Sequence, residues 1–157
     1  EFKTPVYFIH GNHEIEEEVQ EHIGKYSNIT YIHKQRIELN DFTILAYGGD
    51  GFSRRDKVFE EFVTEHEETL KPEQTIVLLH GPPVKTTLDI PFEGHHSGSE
   101  SYREFLERTQ ALIAFAGHIH ECEGEYDKIN KTQLHNPGPL GTVVDFKTLQ
   151  KQYNDHN

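Results

Sequence analysis

The chain has 157 residues and a formal net charge of −12, a length that suits one domain with a core of its own. That charge argues against a general nucleic-acid or anionic-membrane surface, both of which need clustered Lys and Arg. No apolar run reaches the ~18 residues of a membrane span, and twelve His accompany a single Cys, so no intramolecular disulfide can form and a cytoplasmic setting is expected.

The first predicted element is a buried strand over 6–10, Val6-Tyr7-Phe8-Ile9-His10, which runs into Gly11-Asn12-His13-Glu14. An acidic helix follows over 14–25, with Ile15, Val19 and Ile23 at helical spacing. Short strands are expected over 29–33, 36–39 and 42–47, the last two forming a hairpin around Asp41-Phe42. Gly49-Asp50-Gly51 reads as the turn that leaves them. A second amphipathic helix spans 57–70, with Val58, Phe59, Phe62 and Val63 on one side. The acidic stretches within these two helices read as solvated faces.

A strand over 75–79 then delivers His80-Gly81-Pro82-Pro83. The region 82–101 has no convincing periodicity, and a loop of that length in a compact domain is usually functional or disordered. Ser99 or Ser101 can cap a third helix containing Tyr102, Phe105 and Leu106. Another apolar strand, 112–116, runs into Gly117-His118-Ile119-His120. Two further strands, 132–135 and 142–146, flank the turn Asn136-Pro137-Gly138-Pro139. The domain is expected to cover 1–149 and a polar, frayed tail 150–157.

Three apolar strands thus each place a ligand-type side chain at the exit, where α/β folds put their chemistry. Asn12 offers an amide oxygen, and His80, His118 and His120 offer imidazole nitrogens, a set that suits Mn, Fe, Co, Ni or Zn. Taken singly, each has a plainer explanation. A lone His80 is more often a hydrogen-bonded buried His, and Glu14 could simply favour a helix start. His10 reads as a strand or surface His, and Cys122 as structural.

The ordered set Gly11-Asn12-His13-Glu14, His80 and Gly117-His118-Ile119-His120 resembles the calcineurin-like metallophosphoesterase superfamily, with its G-N-H-(E/D), strand-end H and G-H-x-H motifs. Asn136-Pro137-Gly138 is similar to the N-P-G turn that often follows. The resemblance implies an α/β, four-layer sandwich of two mixed β-sheets flanked by helices. It implies a phosphomonoesterase or phosphodiesterase using two divalent metal ions, manganese among the candidates, and attack by a metal-bridging hydroxide. Asn12, His80 and His118 would bind one metal and His120 the other. His13 would be the catalytic acid beside the leaving-group oxygen, with Glu14 orienting it or its turn. His95 and His96, in a loop of small residues, are candidates for closing over the substrate.

The superfamily's D-x-H and G-D-x-x-D motifs belong upstream of G-N-H, and only ten residues precede Gly11. The expectation is therefore an N-terminally incomplete domain, short by on the order of 60 residues at ~30 per strand-crossover unit. Glu1-Phe2 reads as a cloning scar. This chain alone would hold one metal ion or none. The expected partner is a small phosphoester such as a nucleotide, without membrane or long nucleic acid. Self-association, or pairing with the missing N-terminal segment, would cover an exposed sheet edge. The competing reading is a catalytically inactive scaffold or an incomplete fragment of such an enzyme.

Overall fold

The computed structural model describes residues 3–49 and 51–155. Glu1-Phe2, Asp50 of the expected turn and the last two residues of the expected tail lie outside them.

The chain opens on β1 (Val6–Phe8), α1 (Glu16–Ile23) and β2 (Ile29–Tyr31), with β1 and β2 paired in parallel. A hairpin of β3 (Gln35–Leu39) and β4 (Phe42–Tyr47) begins the larger sheet, turning at Asn40 with φ 54°. α2 (Lys57–Thr64) leads to β5 (Thr75–Leu79), and α3 (Glu100–Thr109) to β6 (Ile113–Ala116). The antiparallel pair β7 (Tyr126–Ile129) and β8 (Thr132–His135) completes the sheet, and α4 (Phe146–Asp155) ends the described chain. The six strands lie in the order β3-β4-β5-β6-β8-β7, with β4, β5, β6 and β8 parallel to their neighbours in that order.

Two apolar layers sandwich the six-stranded sheet. On one face Leu45, Val77, Ala114 and Leu134 pack against Phe59 and Val63 of α2 and Phe105 and Leu106 of α3. On the other, Ile44, Ala46, Ile76 and Ile113 meet Ile32, Tyr7 and Ile9 of the small sheet's unit and Phe146, Leu149 and Tyr153 of α4. Helices α2 and α3 therefore cover one face of the mixed sheet, and the small parallel pair β1–β2 together with α4 covers the other. Every residue of β4 is buried, as a central strand covered on both faces requires. The helices start where capping chemistry allows. Asp56 accepts from the Phe59 amide and Ser99 from the Tyr102 amide.

Several predicted elements are corrected. β1 stops at Phe8 and is not buried, since Val6 and Phe8 are 36% and 38% exposed. The expected strand over 142–146 does not form, because no neighbouring strand among the described residues offers it a ladder. Phe146 instead starts α4, and the helix continues through residues expected to fray. Tyr153 fixes it by donating to the Gln110 carbonyl at 2.7 Å. The helix expected over 57–70 ends at Thr64 and passes into a short 3-10 turn, Glu67–Thr69. Among the described residues no helix is long and apolar enough to cross a membrane.

Candidate metal centre

β5 and β6 are adjacent and parallel, so their carboxyl ends emerge side by side, and the Gly117 amide donates to the His80 carbonyl at 2.9 Å. The Gly11-Asn12 turn after β1 arrives from the small sheet. Gly11 passes so close to His80 that a Cβ there would stand 2.8 Å from Cε1, so any other residue would displace that ring. Glu14 folds back and accepts from the Gly11 amide at 2.7 Å, closing the turn around Asn12 and His13.

Three side chains from these strand ends converge. His80 Nε2 lies 2.9 Å from Asn12 Oδ1 and 3.1 Å from His118 Nδ1, and His118 Nδ1 lies 3.1 Å from Asn12 Oδ1. His118 reaches this position with φ 68°, the left-handed region that non-glycine residues adopt at a cost. Burial and the neighbouring His118 lower the His80 pKa to about 4, so its imidazole is neutral with a lone pair to offer.

The triangle fits a cation. Donors about 2.1 Å from a metal and at right angles stand ~3.0 Å apart, the edge of an octahedral face. Hydrogen bonding alone suits it less well. If both ring nitrogens donate to Asn12 Oδ1, two protons crowd onto one oxygen from nitrogens only 3.1 Å apart. Among the described residues no three His, Cys, Asp or Glu side chains cluster as a metal site. The donor set is therefore two imidazoles and an amide oxygen.

The other candidate residues lie around this triangle. His120 begins a 3-10 turn, His120–Cys122, and lines a cavity of about 440 Å³ with His118, Glu123 and Asn136. Asn136 secures that turn by donating from Nδ2 to the Ile119 carbonyl at 3.3 Å. His13 is exposed and lines a groove between β1 and α1 with Phe8, Ile15 and Val19. The loop carrying His95 and His96 is tied to itself. His96 Nδ1 is 2.7 Å from Asp89 Oδ1, and His95 stacks on Phe92. Buried Asp89 also accepts from the Lys85, Thr86 and Gly98 amides, which orders a region without periodicity.

Two features escaped sequence reasoning. His10 is buried, 2.7 Å from the Tyr31 hydroxyl and packed edge-on to His33. Gly48 and Gly49 make room for it, since a Cβ would come 2.7 Å from the His10 backbone at Gly48 and 2.9 Å from the His10 ring at Gly49. His33 Nδ1 accepts from the Gly48 amide, and burial together with His10 lowers its pKa to about 4. The second feature is Gly51-Phe52, where the Phe52 ring meets His118. The run of glycines after β4 was the available signal for both.

A model of the family described as calcineurin-like phosphoesterase matches residues 1–122. No curated protein matches the sequence. One solved structure aligns with TM-score 0.66 and 17% identity, over 85% of this chain and 57% of its own. The protein TT1561 of Thermus thermophilus aligns with TM-score 0.63 and 13% identity, over 92% and 69%. A putative 5'-nucleotidase from Staphylococcus aureus, solved with alpha-ketoglutarate, aligns with TM-score 0.53 and 13% identity, over 94% and 42%. At these identities the likeness is one of fold. The chain spans little more than half the length of the first of these structures and under half of the last.

Proposed function

Because this chain belongs to the calcineurin-like phosphoesterase family, we propose that it carries the part of a phosphoester hydrolase in which Asn12, His80 and His118 hold a divalent cation. The observation supporting this role is the triangle of donor atoms 2.9, 3.1 and 3.1 Å apart. A divalent cation held there offsets substrate charge, polarises a phosphoryl oxygen and makes water acidic enough to serve as nucleophile near neutral pH. Two imidazoles and an amide oxygen leave Mn, Fe, Co, Ni and Zn as candidates.

His120, on the next turn, is assigned to a second cation. The remaining ligands of that cation are assigned to a segment outside these 157 residues or to a partner chain, paired along the exposed β1 edge. His13 is assigned to the leaving-group oxygen, where it donates a proton or steadies negative charge. Glu14 holds the turn that aims it. The substrate is a small phosphomonoester or phosphodiester, a nucleotide being one such compound. The cytoplasmic assignment rests on the single thiol, Cys122, which is buried and donates to the Ile90 carbonyl.

Metal content by elemental analysis, alongside hydrolysis of a chromogenic phosphodiester with added Mn, tests this reading. His13→Ala is expected to lower turnover by about 10²–10⁴-fold and to keep the metal. Loss of metal in that variant would overturn the division of roles. Stoichiometric metal with no turnover by the unaltered chain would favour the scaffold or fragment reading.

A further inference from the structure

We propose that Phe52 is a specificity-determining residue, an aromatic platform at the rim of the centre that favours phosphoesters whose leaving group carries a planar ring. This rests on the phosphoester reading of the Asn12–His80–His118 centre and adds to it the chemistry of the group beyond the phosphorus.

Phe52 is 70% exposed. Its ring centre lies 4.5 Å from that of His118, with the two planes at 84°. Among the described residues the other exposed rings include Phe8 and Tyr26, in the groove with His13, Phe92 on His95 and Tyr126 on His135, and Phe52 is the one that meets His118. What singles this ring out is its position, with its edge-on contact to a candidate ligand and most of its surface open to an incoming group. A substrate resting on it would cover that surface.

The platform is also fixed in place. Gly51 has φ 90°, and a Cβ there would stand 3.0 Å from the His118 imidazole. Gly81, directly after His80, packs so closely that its own Cβ would come 2.7 Å from Gly51 Cα. The backbone leading into Phe52 is therefore wedged between the strand ends that carry His80 and His118. A phosphoryl group held at the triangle leaves its ester substituent within reach of this ring. Stacking on it accepts any π face, whether nucleobase or simple aryl, and gives little to an aliphatic group.

The test is binding by the full chain in the presence of Zn²⁺, followed by NMR, with adenosine 5'-monophosphate, phenyl phosphate and ribose 5-phosphate as probes. The aromatic probes are expected to bind about tenfold more tightly than ribose 5-phosphate, in keeping with the stacking of one base on an aromatic side chain. Phe52→Ala and Phe52→Leu should erase that difference while leaving ribose 5-phosphate affinity unchanged, and Phe52→Tyr should preserve it. An advantage shared by both aromatic probes marks a general aryl platform, and one confined to the nucleotide marks a nucleobase platform. Equal binding of all three probes, or an advantage that survives Phe52→Leu, overturns the proposal and leaves the phosphoester reading intact. Failure of every probe to bind in the presence of metal overturns the phosphoester reading itself.

Discussion

All six residues of β4 are buried, whereas α1 buries none and Ile15 beside it is 57% exposed. The six-stranded sheet is packed on both faces. The β1–α1–β2 unit is attached mainly through Tyr7, Ile9, Ile32 and the bond from the Gly49 amide to the His10 carbonyl. The candidate centre straddles the two. His80 and His118 ride on the well-packed sheet, and Asn12 and His13 on the loosely packed unit. A cation at the triangle would therefore act as a brace between a rigid half and a half with little stability of its own.

The largest expected contrast is in packing energy. Phe105→Ala, which empties a site in the main core, should cost about 3–5 kcal/mol in urea denaturation. Val19→Ala in α1 should cost less than about 1 kcal/mol. Equal losses would mean the small unit is as firmly integrated as the sheet.

Next in size is the bracing itself. Zn²⁺ at about a hundred times its dissociation constant should stabilise the fold by about 2.7 kcal/mol. Hydrogen exchange should slow most over 6–31. Uniform protection across the chain, or none, would break the idea that the cation links two unequal halves.

A dependence on pH is expected as well. His33 and His80 both have pKa values lowered from 6.5 to about 4, chiefly by burial. Between those values the unfolded chain binds protons that the folded chain refuses, so stability is full above about pH 6.5 and declines as pH falls towards 4. Imidazole NMR titrations in the absence of metal should give midpoints near 4 for these two residues. Midpoints near the ordinary 6.5 would show that the small unit leaves His33 open to water.

The strand ends at His80 and Gly117 were legible because continuous apolar runs stop there at polar residues, and β5 and β6 form as read. A serine cap at Ser99 or Ser101 was legible from chemistry local to the chain, and Ser99 is the one that caps. The elements misread depend on distant partners. Val143 and Val144 favour a strand, but a strand needs a neighbour, and among the described residues the sheets offer none; Val143 stands 99% exposed. β7 was missed because three of its four residues, Tyr126, Asp127 and Lys128, lie outside the core and show no apolar run.

Around the centre, motif order pointed to Asn12, His80 and His118, and the fold brings all three within 3.1 Å of one another. Sequence could not show that His96 turns to Asp89, since that pairing depends on the path of a loop without periodicity. Nor could it show Phe52 against His118, which the packing of Gly51 on Gly81 decides.

The central claim is that Asn12, His80 and His118 together form a cation site, and the most direct measurement is a Zn²⁺ titration of the ¹⁵N-labelled chain observed at the imidazole and side-chain amide nitrogens. The account predicts one saturable transition in which His80 Nε2, His118 Nδ1 and the Asn12 amide shift together, and which His118→Ala abolishes without unfolding the chain. Shifts confined to other histidines, with those three groups unmoved, would contradict it.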